Sequence, residues 1–301
     1  MKRIVSALCT AVLAAGILTQ PAAAEDLMTL RLAAGKTVFT REELEQGDHV
    51  VHGGLYIDNY TGIAKLRLIL RSTEPVSIEN GGFTLDPNGE LDADGKVRHA
   101  FFEEHSEISY TAKSLVDNDT NIVLWYGGHV DGHENYYDNG VIRDANSSFL
   151  SFDYRIPKGT PSGDYTCYIS EKVNTTQSGL IMEDLTISDA KHRLEPGKDF
   201  ALKPITFTVY ERGDFNCDGT VSIDDAQSTL LYYVRKVVSK LNVTDEDLKT
   251  LAGTEHTGAA RLAADASGDG TLDASDPQGI LNYYVIAMTN QKPDWNKIYR
   301  H

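Results

Sequence analysis

The sequence has few cysteines, few tryptophans and no excess of basic residues. Among 301 residues there are 3 Cys, 2 Trp and 28 Lys+Arg against 44 Asp+Glu, which gives a formal net charge of −16. This charge disfavours nucleic acid as a partner, because phosphate binding requires a basic surface. It also disfavours binding to an anionic membrane surface. After the first residues no apolar run is long enough to span a membrane.

The N-terminal 24 residues have the order of a targeting segment. Lys2 and Arg3 precede an apolar run over 4–18, and Ala22-Ala23-Ala24 supplies small residues at a cleavage position. This order predicts a secretory signal peptide over residues 1–24. We therefore expect the mature protein to be secreted and extracellular.

Two cysteines, Cys167 and Cys217, lie beyond the signal peptide. Two cysteines do not make a disulfide framework. Cys167 falls within a strand-like pattern, which favours a small buried side chain. A Cys167–Cys217 disulfide is the alternative.

Residues 25–210 are dominated by an alternation of apolar and polar side chains with a period of two, as in Leu66, Leu68 and Leu70. Such alternation predicts strands that bury one face. The candidate strands are 28–33, 49–57, 64–71, 76–85, 97–103, 107–112, 121–126, 150–156, 165–169 and 205–209. Nine or ten strands separated by turn signals predict a mainly β domain, a jelly-roll β-sandwich. Helix is expected only at 41–46 and, as a weaker alternative, in 170–192.

The period changes after Gly213, where the C-terminal domain, 211–301, begins. Apolar residues at three- and four-residue spacing predict helices over 224–239 and 276–289, and a third helix is predicted over 244–251. No Pro/Ser-rich spacer separates this small all-α domain from the β domain. We therefore expect a short hinge and two domains that lie close together.

An acidic loop occurs twice in the C-terminal domain. Residues 214–225 align without gaps on residues 265–276. Each loop places oxygen-bearing residues at positions 1, 3, 5, 7, 9 and 12, the spacing of an EF-hand calcium site, with glycine at position 6. The predicted ligands of the two ions are Asp214, Asn216, Asp218, Thr220, Ser222 and Asp225, then Asp265, Ser267, Asp269, Thr271, Asp273 and Asp276.

The alternative interpretation is an acidic loop that caps a helix. Capping accounts for one residue in each loop, whereas five residues recur at fixed spacing in both loops. Mg²⁺ is less suited than Ca²⁺ to a site with many protein ligands. The sequence therefore predicts two Ca²⁺ ions.

These loops differ from ordinary EF-hands, because no helix precedes the first loop and position 12 is Asp in both. A duplicated loop-then-helix unit of this kind, with repeats 214–239 and 265–290, resembles a type I dockerin. The resemblance implies calcium-dependent binding to a cohesin domain of another scaffoldin. The contact residues that it implies are Ile223, Asp224, Leu230, Leu231, Arg235, Ala274, Ser275, Leu281, Asn282 and Ile286. Core packing is the alternative role for the leucines.

Short phrases in the β domain carry a second resemblance. They are Ile57-Asp58-Asn59, Gly62-Ile63-Ala64 and the turn Pro157-Lys158-Gly159-Thr160-Pro161-Ser162-Gly163-Asp164-Tyr165. In this order they resemble a cohesin, which implies a nine-stranded jelly-roll sandwich that binds dockerin-bearing subunits. A cohesin joined to a dockerin implies a non-catalytic adaptor scaffoldin of a cellulosome.

Two other functions are open for the β domain. A carbohydrate-binding sandwich could use aromatic pairs at 101–102, 125–126 and 136–137. A glycosidase could use carboxylates such as Glu103-Glu104, Asp131 and Glu134. His129 and His133 lie among glycines, which predicts a solvated loop rather than a zinc-protease helix.

Overall fold

The computed structural model describes most of the chain from residue 27 onwards. The described residues are 27–59, 65–79, 90–91, 97–98, 107–111, 121–126, 150–171, 181–183 and 194–299. Within these ranges no helix has both the length and the apolar character needed to cross a membrane. Strands dominate up to residue 210 and helices dominate after it.

The described part of the β domain contains fourteen strands. They are β1 (Met28–Ala34), β2 (Val38–Thr40), β3 (His49–Asp58), β4 (Lys65–Ser72), β5 (Ser77–Glu79), β6 (Glu90–Leu91), β7 (Val97–Arg98), β8 (Glu107–Thr111), β9 (Asn121–Tyr126), β10 (Leu150–Ile156), β11 (Gly163–Ser170), β12 (Ile181–Glu183), β13 (Phe200–Lys203) and β14 (Ile205–Tyr210). The number exceeds the nine or ten expected because β2, β6, β12 and β13 are too short for alternation to reveal them.

The strands form two large sheets. The first has the order β13-β1-β3-β10-β5, and the second has the order β2-β14-β11-β4-β9-β8, with β12 also paired to β4. Successive strands mostly alternate between the sheets, while β8 and β9 are neighbours in one. Two pairings are parallel, β1 with β13 and β14 with β2. The predicted mainly β architecture is confirmed as a two-sheet sandwich.

The core of the sandwich lies between the two sheets. Leu30 and Leu55 of the first sheet and Leu68 of the second are completely buried within one apolar cluster. The rings of Tyr154 (β10) and Phe207 (β14) meet across the sheets, with centroids 4.8 Å apart. The period-two pattern has the expected origin, since alternate residues of each strand face this interior.

Of the stretch 170–192, residues 181–183 form strand β12, paired with β4, rather than helix, and most of the remainder lies outside the described ranges. The alternative of a Cys167–Cys217 disulfide is wrong. Cys167 and Cys217 are free thiols. Cys167 is buried in the sandwich core, and this burial raises the pKa of its thiol to about 12.

The helices begin and end near the predicted positions. They are α1 (Arg41–Leu44), α2 (Ile223–Tyr233), α3 (Asp245–Ala252), α4 (Thr257–Ala264), α5 (Ser275–Met288) and α6 (Trp295–Ile298), and a π-helical turn, Val234–Val238, extends α2. The three predicted C-terminal helices are confirmed as α2, α3 and α5. The sequence pattern did not reveal α4, because its buried side chains are all alanines.

The C-terminal helices enclose two small cores that link the repeats. One contains Phe215 and Tyr232 of the first repeat, with Leu272 of the second packed against it. The other contains Ile280 of the second repeat together with Val221 of the first. The apolar residue at position 8 of each loop, Val221 or Leu272, therefore packs into a core beside the other repeat.

Candidate metal centre and docking surface

The first loop is closed by the carboxylates at its two ends. The position-12 carboxylate, Asp225, accepts hydrogen bonds from the amides of Asn216 at 3.1 Å and Ser222 at 2.8 Å. The position-1 carboxylate, Asp214, accepts one from the Gly219 amide at 3.1 Å. Ser222 and Asp225 also form the capping box that begins α2.

The second loop repeats this pattern at the equivalent positions. Asp276 accepts hydrogen bonds from the amides of Ser267 at 2.9 Å and Asp273 at 2.8 Å. Asp265 accepts one from the Gly270 amide at 2.8 Å. The sequence repeat is therefore also a repeat of backbone geometry.

Glycine at position 6 is required by the turn. Gly219 has a φ of +88° and Gly270 a φ of +84°. Residues with a Cβ rarely adopt this left-handed conformation. The turn at position 6 of both loops therefore favours glycine over any residue with a Cβ.

The predicted ligands range from buried to fully accessible. Asp214, Asp225 and Asp276 are completely buried. The half-buried ligands are Asn216, Ser222, Asp265 and Ser267, and the exposed ones are Asp218, Thr220, Asp269, Thr271 and Asp273. The first loop therefore combines exposed oxygen-bearing residues with two buried carboxylates, and the second combines them with one.

The buried carboxylates lack a positively charged partner. Among the ion pairs of the described ranges, none involves a predicted ligand. Burial raises the pKa of Asp214 to about 6, and the neighbouring Asp225 and Glu211 add to this shift. Burial likewise raises the pKa of Asp225 and Asp276. A cation in each loop would stabilise the ionised form of these groups.

The donor set fits a hard cation. No group of three or more His, Cys, Asp or Glu side chains in the described ranges is drawn together at metal-binding distances. The loop carboxylates instead accept backbone amides, and every predicted ligand atom is an oxygen. Oxygen donors in a loop of this length suit Ca²⁺. The residues therefore fit calcium, with Asp214, Asp225 and Asp276 as the buried anionic ligands.

The predicted contact residues lie on an accessible surface. Ile223, Asp224, Leu230, Leu231, Ala274, Leu281 and Asn282 are exposed, and Arg235, Ser275 and Ile286 are half-buried. Leu230 is 48% exposed and Leu281 is 41% exposed, so core packing does not explain these leucines. Contiguous exposed apolar side chains are uncommon without a partner.

The exposed apolar side chains are unequally divided between the repeats. The first repeat exposes Ile223, Leu230, Leu231, Val234, Val237 and Val238, and the second exposes Leu281, Val285 and Met288. We call these nine residues the helical apolar face. The first repeat therefore presents the larger part of it.

The C-terminal domain, which we call the helical segment, lies against the sandwich through contacts that sequence patterns did not predict. Asp164 of β11 accepts hydrogen bonds from the amides of Gly258 at 2.7 Å and Ala259 at 3.1 Å, at the start of α4. Its own amide donates to Nδ1 of His256 at 3.1 Å. These partners are more than ninety residues apart. No local spacing could reveal them.

The C-terminal helix α6 packs against the start of the helical segment and against α5. Trp295 stacks on Tyr283 at 4.4 Å between centroids. Its indole lies so close to Gly213 that a Cβ there would approach it to 2.8 Å. Gly213 also has a φ of +84°. Both this left-handed conformation and the nearby indole therefore require glycine at the point where the chain leaves the sandwich.

The residues of the alternative functions are mostly outside the described ranges. This applies to the aromatic pairs 101–102 and 136–137 and to Glu103, Glu104, His129, Asp131, His133 and Glu134. The pair 125–126 lies at the end of β9, where the backbone pairs with both β4 and β8.

No protein-family model matches the chain, and no curated protein matches it. Among solved structures, the chain is similar to a type II cohesin domain from the cellulosome of Acetivibrio cellulolyticus, with 10% identity over 60% of this chain and 95% of that one and a TM-score of 0.39. It is also similar to a non-cellulosomal cohesin from the archaeon Archaeoglobus fulgidus, with 14% identity over 62% and 91% and a TM-score of 0.33. A third is a type I cohesin–dockerin complex from Clostridium thermocellum, with 12% identity over 62% and 96% and a TM-score of 0.35. TM-scores of this size do not establish a shared fold.

Proposed function

We propose that the chain is a non-catalytic adaptor of a secreted, cellulosome-type assembly. Its helical segment, residues 211–301, binds a cohesin domain of another scaffoldin when two Ca²⁺ ions occupy the loops. Its sandwich, residues 25–210, binds the dockerins of other subunits. The observation that supports this most strongly is the duplicated loop, since both copies have the same hydrogen-bond pattern and precede helices with exposed apolar residues.

The helical apolar face is the part of the proposal with the clearest partner chemistry. An apolar patch on two helices, with polar residues such as Asp224 and Asn282 beside it, matches the anatomy of a protein interface. It is a poor match for a sugar, which requires aromatic stacking surfaces and polar side chains. A protein is therefore the expected partner.

Charge substitutions on this face are expected to weaken cohesin binding without unfolding the protein. We expect Leu230→Asp to lower the affinity by about tenfold or more, because interface centres do not tolerate a desolvated charge. Leu281→Asp should have a smaller effect, because the first repeat presents more of the face. Isothermal titration against a panel of purified cohesins measures both.

Thr250→Asp is the matched control, since Thr250 is an exposed residue of a different helix, α3. It should bind like the unmodified protein. The free energy of unfolding of each of the three variants should lie within about 0.5 kcal/mol of that of the unmodified protein, because exposed sites contribute little to stability. Wild-type binding by the Leu230→Asp, Leu281→Asp double variant would contradict this assignment of the face.

Dockerin binding by the sandwich requires a separate experiment. The full chain carrying both Leu230→Asp and Leu281→Asp would be immobilised and exposed to dockerin-bearing proteins, and in parallel to insoluble cellulose and xylan. Retention of a dockerin supports the adaptor. Retention of a polysaccharide alone would favour the carbohydrate-binding sandwich and leave the role of the helical segment intact.

A further inference from the structure

The two loops differ in what lies beside them. Ser162, which is 4% exposed at the start of β11, donates a hydrogen bond from its hydroxyl to Oδ2 of Asp214 at 3.2 Å. Asp214 is the position-1 ligand of the first loop. Its counterpart Asp265 accepts hydrogen bonds, among the described residues, from its own loop: the Ser267 hydroxyl and the amides of Gly268 and Gly270. A residue of the sandwich thus donates a hydrogen bond to a predicted ligand of the first loop.

The same turn of the sandwich also holds helix α4. Two residues after Ser162, the carboxylate of Asp164 accepts the amides of Gly258 and Ala259 and the hydroxyl of Thr208. A Cβ at residue 258 would approach Oδ1 of Asp164 to 2.5 Å, so the helix comes this close only because residue 258 is glycine. One short turn therefore contacts both the first loop and helix α4, which precedes the second loop.

Several carboxylates lie where the turn at Ser162 and Asp164 meets the first loop and α4, a region that we call the junction. Glu211 and Asp214 closely follow β14, and the Asp225 carboxylate is joined to the same loop by the amide of Asn216. The compensation present is Arg41, which pairs with Glu211 at 2.6 Å and donates to the Gly219 carbonyl at 3.4 Å. A divalent cation in the first loop would add positive charge to this cluster, beside the contact of Ser162 with Asp214.

We propose that calcium in the first loop fixes the helical segment against the sandwich, with Ser162 as the residue that positions Asp214. This inference rests on the calcium binding of the proposed function and goes beyond it. It makes the first site an interdomain site and the second a local one. The relative orientation of the two docking modules would then depend on calcium.

Hydrogen exchange in the unmodified full chain tests the coupling. We expect calcium to slow exchange of the amides of Asp164, Gly258 and Ala259 by about tenfold or more, together with the amides of both loops, because these three amides open only when the junction opens. Protection of the loops without any change at the junction would overturn the coupling and leave calcium binding intact. No calcium response anywhere in 214–290 would overturn both.

The role of Ser162 can be isolated by introducing Ser162→Ala into two variants, each of which retains only one functional calcium loop. In full chains carrying Asp269→Ala, which disables the second loop, Ser162→Ala should weaken the remaining calcium site about five- to tenfold, because a hydrogen bond to a charged group is lost. In chains carrying Asp218→Ala, which disables the first loop, it should change nothing. Thr206→Ala, an exposed hydroxyl on neighbouring β14, is the control in both. Equal calorimetric affinities with and without Ser162→Ala in the first background would refute the positioning role.

Discussion

Removal of calcium with EDTA is expected to abolish most of the helical circular-dichroism signal of residues 211–299 and to weaken cohesin binding by at least about a hundredfold, because metal binding and folding are coupled in such loops. Asp214, Asp225 and Asp276 are completely buried, and among the described residues none of them belongs to an ion pair. An uncompensated buried charge opposes folding. The helical apolar face exists only while α2 and α5 are folded.

Restoring calcium should recover both signals, whereas magnesium should not, because Mg²⁺ requires a smaller and more regular octahedral site. The strand signal of the sandwich provides an internal control, since its core contains no loop residue. Two variants, Asp225→Ala and Asp276→Ala, should each remove one ion. A helical signal and a cohesin affinity that are both indifferent to EDTA would refute the calcium-dependent part of the proposed function.

The features that the sequence predicted well depend on local spacing. The ligand positions of 214–225, the glycines at position 6 and the helices α2 and α5 follow from residue types a few positions apart. The strand β9 has the predicted bounds, 121–126, because its apolar run is continuous. Such features need no information from distant parts of the chain.

The features that it did not predict depend on contacts between distant residues. Helix α4 buries only alanines, and these give too weak a periodic signal to be recognised. The contacts of Ser162 with Asp214 and of Asp164 with His256 span 52 and 92 residues. The turn at 157–165 enters the sequence prediction only through its resemblance to a cohesin, whereas Ser162 and Asp164 within it contact the helical segment.

The exposure of the leucines in α2 could likewise be recognised only from the structure. Leu230 and Leu231 have the same three- and four-residue spacing as core residues, so the pattern alone could not separate packing from docking. The structure resolves this because α2 exposes both leucines, while its buried residues are Asp225, Ala226, Thr229 and Tyr232. A helix that buries a single large side chain and exposes several others presents a surface for a partner.

Replacement of Gly53 by alanine is expected to destabilise the sandwich by about 3 kcal/mol, at the upper end of overpacking effects. Gly53 lies in the middle of β3, between β1 and β10. A Cβ at this position would collide with the backbone carbonyl of Ala33 and would lie 2.5 Å from the ring of Tyr154. The ring cannot move away, because Tyr154 is completely buried against Phe207.

Gly47→Ala is the matched control, since a Cβ there meets nothing within 4 Å. It should be neutral or should stabilise by up to about 1 kcal/mol through the entropy of the unfolded chain. Urea unfolding followed by circular dichroism in the strand region, with calcium present throughout, measures both variants. Equal midpoints for the two would mean that the sheet shifts to accommodate a methyl group at Gly53, and that the close approach of Tyr154 to β3 is not a fixed feature of the core.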